Sequence, residues 1–138
     1  MNLAGKTAIV TGASRGLGPY IAKALALKGV NIIAIARNLK GLEKTKSDIK
    51  VAGQNCNIIS FDLTQINELE SLVKEIWSDY GPIDILINNA GIENYQHFDH
   101  LTKEMLRDII STNLRSPLEL TRCLLPKMIN QKSGHIIN

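Results

Sequence analysis

Thr11-Gly-Ala-Ser-Arg-Gly-Leu-Gly18 is the stretch on which the fold turns. The apolar run Thr7-Ala8-Ile9-Val10 precedes it, and a helical pattern from Tyr20 to Lys28 follows. A glycine-rich turn between a strand and a helix suits an anion. Amide groups at a helix start lack partners, and the helix dipole adds partial positive charge, so a phosphate is stabilised there. Glycines permit positive φ and a close approach of backbone to ligand. Pro19 fits the first helical turn, where its missing N–H costs nothing. The glycines fall at 12, 16 and 18, a G-x-x-x-G-x-G spacing rather than G-x-G-x-x-G. Many glycine turns only connect elements; the placement between strand and helix is what points to a nucleotide.

Working outward, apolar runs alternate with helical patterns, which argues for βαβ units and a parallel sheet. The expected strands are Thr7–Thr11, Asn31–Ala36, Asn57–Phe61, Ile83–Asn88 and His135–Asn138. Ile32-Ile33-Ala34-Ile35 and Ile85-Leu86-Ile87 are continuous apolar runs, as in strands covered on both faces. Helices are expected over Pro19–Lys28, Leu39–Ala52, Ile66–Tyr80 and about Thr102–Asn130. Gly29, Gly53 and Gly81 stand where helices should end, and Pro82 blocks continuation. Thr64 is the expected N-cap of the third helix, with Asn67 and Glu68 in its first turn. Pro117 removes a backbone hydrogen bond, so a kink or break is expected near Asn113–Pro117, with Ser116 capping the second piece. Met105, Ile109, Leu118, Leu124, Leu125 and Met128 supply apolar faces for core or subunit contacts.

Composition narrows the function classes. The 138 residues suffice for one domain, and 44% hydrophobic with 21% charged residues is ordinary for a globular protein. No stretch approaches the ~20 apolar residues of a membrane span. The first residues lack a signal-peptide layout, so a cytoplasmic location is expected. Cys56 and Cys123 form no metal or redox motif and read as small hydrophobes. Net charge is +3 and dispersed. Lys40, Lys44, Lys46 and Lys50, interleaved with Glu43 and Asp48, read as a solvated helix face. Aromatics are too few for base stacking, so no nucleic-acid partner is expected. His97 and His100 lie near Glu93 and Asp99, but nothing fixes a coordination geometry and no metal is expected. His135 reads as structural.

Four motifs fall in order: Thr11–Gly18, Asp62-Leu63-Thr64 after the third strand, Asn88-Asn89-Ala90-Gly91 after the fourth, and Asn113 in the next helix. The set resembles the short-chain dehydrogenase/reductase family of Rossmann oxidoreductases, most closely its beta-ketoacyl carrier-protein reductase and sugar-alcohol dehydrogenase branch. The resemblance runs the length of the chain. It implies an α/β, doubly wound parallel sheet of order 3-2-1-4-5, truncated after the fifth strand. It implies one NAD(P)-binding domain over 1–138, incomplete at its C-terminal end. Gly12, Ser14, Arg15, Gly16, Leu17 and Gly18 would line the phosphate and ribose part of the cofactor. Asp62 would accept from the adenine amino group while the Leu63 backbone fixes the ring. Asn89, Ala90 and Gly91 would lie against the ribose and nicotinamide side. Asn113 matches the asparagine of the catalytic tetrad, whose backbone carbonyl holds a water in a proton relay. Each has a plainer reading: Asp62 as a cap near Thr64, Asn88 and Asn89 as turn residues, Asn113 as polar filling at the kink.

Charge at the end of the second strand selects the cofactor. An acid there suits the ribose 2′-hydroxyl of NAD, an arginine the 2′-phosphate of NADP. The sequence reads Ile35-Ala36-Arg37-Asn38, and Arg15 is a second cation. NADP is expected, NAD less so; the plainer reading is two solvated arginines. The family's chemistry also needs Tyr-x-x-x-Lys and an upstream serine. Tyr20, Tyr80 and Tyr95 are followed at that spacing by Ala24, Asp84 and Asp99. The resemblance therefore implies an NADP-dependent carbonyl or alcohol oxidoreductase whose 138-residue chain is inactive alone. A silent nucleotide-binding or subunit-association module, or a half-domain without ligand, are the other readings. His135–Asn138 as a bare sheet edge, with the long helix's apolar faces, implies a homo-oligomer.

Overall fold

The central strands are runs of Ile, Leu, Val and Ala that fold as parallel strands covered on both faces, while the outer two are partly exposed. The computed structural model describes residues 3–138. The strands are β1 (Thr7–Thr11), β2 (Asn31–Ala36), β3 (Cys56–Ser60), β4 (Ile85–Ile87) and β5 (His135–Ile137). Their order is β3-β2-β1-β4-β5, all parallel. Ile9 of β1 sits opposite Ile33 of β2 on one side and Leu86 of β4 on the other.

Alternate residues of each strand feed two cores. Ala8, Val10, Ile32 and Ala34 pack with Ala22, Ala26, Leu42 and Ile49 of helices α1 (Gly18–Ala26) and α2 (Leu39–Val51). Ile9, Ile33, Ile35 and Leu86 pack with Leu69, Val73 and Ile76 of α3 (Leu69–Tyr80). Leu120, Leu124 and Met128 of α5 (Ser116–Asn130) complete that second core. Each fully buried isoleucine or leucine contributes about 1.5–3 kcal/mol, so the sandwich of layers is held chiefly by these faces. Across the outer surface, Arg122 bridges Glu70 and Glu119 at 2.9 and 2.6 Å. Lys74, at 2.8 Å, and then Arg122 hold the Glu70 carboxyl below its usual range, and Arg122 does the same for Glu119.

The chain walks outward from β1 through β2 to β3, then returns to β4 beside β1. This reversal leaves a crevice at the carboxyl ends of β1 and β4, where doubly wound sheets take ligands. The other ends are pinned by Asp84, which accepts from Lys6 Nζ at 2.7 Å and from Thr7 N at 2.9 Å. Gly29, Gly53 and Gly81 each take positive φ just beyond a helix, as expected. The lysines of α2 are exposed, and Leu42, Thr45 and Ile49 are its buried residues.

Two local expectations, both of helix caps, need correction. Thr64 does not cap the third helix. Its N–H and hydroxyl both donate to Asp62 Oδ1, at 3.0 and 2.9 Å, and a 3₁₀ turn at Ile66–Glu68 leads into α3. The long helix is interrupted where a kink or break was expected, by a π turn and not by a break in the chain's helical path. From α4 (Lys103–Ile110) it passes through a π turn at Ser111–Arg115 into α5, and Ser116 N donates to Ser111 O. Widening the turn absorbs the amide that proline lacks. Ser116 is no cap: its hydroxyl donates to Thr112 O at 2.9 Å. Leu118 and Leu125, expected in core or subunit contacts, lie outside the core and are exposed. Pro126 sits inside α5 without ending it.

Candidate functional site

An open cleft of about 1040 Å³ lies over the carboxyl ends of the central strands. That is near the upper end for sites that take a cofactor-sized molecule. The glycine turn forms one wall through Gly12, Ser14, Arg15, Gly16 and Leu17. Arg37 and Asn38 after β2, and Asp62 and Leu63 after β3, form the far end. Asn89, Ala90 and Gly91 after β4, with Asn113, form the near end.

The turn is shaped by its glycines. Gly12 and Gly16 have φ of +67° and +62°, a conformation that disfavours side chains. A Cβ on Gly12 would stand 2.8 Å from Ala90 Cα, so the turn and the β4 loop are in backbone contact. Gly16 has open space where a Cβ would be. Among the described residues, the N–H groups of Ser14, Arg15, Gly16 and Leu17 have no hydrogen-bond partner. Unpaired amides ahead of the helix α1 are the donors an anion requires. Gly18, expected to line the cleft, does not. It is buried at the first position of α1, and a Cβ there would overlap Gly12 O. Its job in the fold is to let the helix sit on the turn.

Thr11, which sequence reading left as the last strand residue, ties the two central strands together. Its buried hydroxyl donates to Ile87 O at 3.2 Å and accepts from Ala90 N at 3.0 Å. Asn89 Nδ2 donates to Thr11 O at 3.0 Å. Asn88 Nδ2 donates to Asn138 Oδ1 at 2.8 Å. Asn89 thus satisfies the end of β1, Asn88 ties the loop after β4 to the residue after β5, and Asn89 also lines the cleft. A threonine ending the first strand, with a hydroxyl able to donate and accept at once, was the signal available.

Asn113 contributes a contact that its sequence position did not disclose. Its Oδ1 accepts from Ile92 N at 2.9 Å and its Nδ2 donates to Ile92 O at 2.8 Å. The π turn presents this amide to the loop after β4. Pro117 also removes the N–H that an α-helix would aim at the Asn113 carbonyl. At the opposite end, Arg37 lies 4.0 Å from Asp62 Oδ2 with both side chains exposed. Such an exposed pair is worth about 0–1 kcal/mol and holds Arg37 only weakly.

The cleft's mouth continues into Ile92 and Glu93. Tyr95 donates to Glu93 Oε1 at 2.6 Å, and the neighbouring carboxylate raises its pKa above the usual phenol range. A proton donor near neutral pH needs the opposite electrostatics. His97 and His100 are exposed beside it and meet edge to face. No helix of the described residues is long and apolar enough to cross a membrane.

The sequence model of short chain dehydrogenases matches residues 6–138. The chain belongs to the short-chain dehydrogenase family. Among curated relatives it is 44% identical over 136 residues to a ketoacyl reductase, HetN, of Nostoc sp., covering 99% of this chain and 47% of that protein. It is 37% identical to the 3-oxoacyl-[acyl-carrier-protein] reductase FabG of Vibrio cholerae, covering 100% of this chain and 55% of the relative. A crystal structure of a metagenomic short-chain oxidoreductase in complex with NADP superposes with a TM-score of 0.95 at 32% identity, covering all of this chain and 63% of that one. A 3-oxoacyl (acyl-carrier-protein) reductase from Agrobacterium tumefaciens with NADP bound gives a TM-score of 0.90 at 30% identity, covering 98% of this chain and 52% of that one. The chain spans about half the length of the curated relatives it matches.

Proposed function

We propose that residues 1–138 form the cofactor-holding part of an NADP(H)-dependent carbonyl or alcohol oxidoreductase. One observation carries this: a single cleft gathers the unpaired amides of the Ser14–Leu17 turn, the arginines at 15 and 37, and the Asp62-Leu63 edge. The amides and the start of α1 suit a pyrophosphate. Arg37 and Arg15 suit a 2′-phosphate, because a guanidinium fork donates twice and no acid follows β2 to favour a 2′-hydroxyl. Asp62 keeps Oδ2 free of a short hydrogen bond and suits the adenine amino group; Leu63 suits the ring. Gly12, Gly16 and Gly91 leave the backbone bare where the ligand lies, and Gly18 lets α1 close on the turn. Asn89 and Ala90 suit the ribose and nicotinamide side. Asn113 fixes the loop at Ile92 and offers its carbonyl to a proton relay. A bound nicotinamide would supply or accept the hydride. The relatives crystallised with NADP support the choice of cofactor.

Titration of the chain with NADPH and NADH by fluorescence tests the reading. Arg37→Leu should weaken NADPH about 10–100-fold, the worth of a charged hydrogen bond, and leave NADH nearly unchanged. Comparable constants for the two cofactors in the unaltered chain would refute the preference. No tyrosine of the 138 residues has a lysine four positions on, so we also expect no turnover of NADPH with a panel of carbonyl compounds by this chain alone. Turnover by protein free of host reductases would overturn that. A silent nucleotide-binding module gives the same titration, and a larger chain that restored turnover would separate the two.

A further inference from the structure

Helix α2 reaches the glycine turn through two residues that none of the four motifs includes. Gly41 is in its first turn, and a Cβ there would stand 2.6 Å from Ser14 O and 2.9 Å from Ser14 Cβ. Helix and turn are therefore in backbone contact. Thr45, one helical turn on, is 2% exposed and lies between Leu42 and Ile49 on the face that enters the core. Its hydroxyl stands 2.8 Å from Ala13 O and 3.1 Å from Gly41 O. A helical threonine ordinarily bonds the carbonyl four residues back; here the shorter contact crosses to the turn. Packing alone would be served as well by valine, which has the same shape without the hydroxyl.

We infer that Thr45 is a positioning residue for the phosphate turn. A trans peptide places its N–H opposite its C=O, and the chain has no cis peptide among the described residues. Holding Ala13 O against α2 therefore directs the Ser14 N–H away from α2, and Ser14 lines the cleft with that amide unpaired. Ala13 is itself fixed, fully buried, with its N–H on Ile35 O at 3.3 Å. The peptide that begins the turn is thus held from β2 on one side and from α2 on the other. Gly41 is the condition for this, since any side chain there would lift α2 from Ser14. The inference rests on the reading of the cleft as a dinucleotide site.

NADPH titration of the unaltered chain, Thr45→Val and Thr45→Ser, alongside their thermal midpoints, tests it. Thr45→Val should weaken NADPH at least tenfold, and Thr45→Ser, which keeps the hydroxyl, should stay within threefold of the unaltered chain. A lowered midpoint for Thr45→Val with unchanged affinity would make Thr45 a plain core residue and overturn the inference. Loss in both variants alike would overturn it as well, because the hydroxyl would then not be the cause. If Thr45→Val does not fold, Gly41→Ala carries the test: equal affinity to the unaltered chain overturns the inference, and a tenfold loss supports it. An unaltered chain that binds no NADPH brings down the reading of the cleft itself, and this inference with it.

Discussion

Two glycines in the same turn have the same backbone sign and different surroundings, and that difference is measurable. Gly12 and Gly16 both sit at positive φ, where an alanine costs about 1–2 kcal/mol. At Gly16 nothing else opposes a methyl group; at Gly12 it would strike Ala90 Cα at 2.8 Å. Overpacking against backbone adds roughly 1–3 kcal/mol. Urea unfolding should therefore rank Gly16→Ala as mildly and Gly12→Ala as severely destabilising. Gly16→Ala should still lose NADPH affinity, because its methyl group enters the open cleft. Equal unfolding free energies for the two variants would mean that the β4 loop yields freely to the turn. Sequence spacing treats all three glycines of the motif alike. The contacts separate them into one that meets another strand's loop, one that faces the ligand space, and Gly18, which lets a helix in.

At the scale of elements, the long helix does its positioning through the π turn at Ser111–Arg115. One extra residue in the turn delivers Asn113 to the loop after β4, where its amide closes a pair of hydrogen bonds on Ile92. Each bond is worth about 0.5–1.5 kcal/mol, and Asn113 is exposed, which favours the low end. Asn113→Ala should cost about 1–2 kcal/mol and speed amide exchange at Ile92. Asn113→Asp should do no better, since a carboxylate cannot donate to Ile92 O and would face it. Unchanged exchange at Ile92 in either variant would show that the loop is held by something else. The five strands, their order and the helices α1, α2 and α3 were legible in the sequence, because β1 and β2 are apolar runs and glycines close those helices. The π turn was not, since Pro117 signals only a missing amide and not how a helix accommodates it. Thr64 was misread for a similar reason: a capping residue can be captured by an acid two positions before it. The cleft's wall was legible from the motifs, whereas Gly41 and Thr45 were not. Their partners in the turn are distant in sequence, and a glycine or threonine within a helix carries no mark of them.

On the scale of the whole molecule, the outer strands β3 and β5 each have one unpaired edge among the described residues, and α4–α5 carries an exposed apolar stripe. β5 pairs with β4 and no further strand among the described residues. Ile110, Leu114, Leu118, Leu125 and Ile129 are 50%, 55%, 61%, 43% and 64% exposed, at helical spacings that place them along one side of α4–α5. Isolated apolar residues on a surface need no account, but a contiguous stripe and an open strand edge favour association. The 15.2 kDa chain should therefore sediment as a dimer or larger species. Leu118→Glu tests the stripe without touching the core, because the side chain it replaces is already in solvent. It should shift sedimentation toward the monomer while leaving the unfolding midpoint within about 0.5 kcal/mol, the usual range for surface changes. An unaltered chain that sediments as an ideal monomer would overturn the prediction. A Leu118→Glu chain that associates undiminished would move the contact to the β5 edge. Charge on that strand, through Ile137→Lys, would then be the change that separates the subunits.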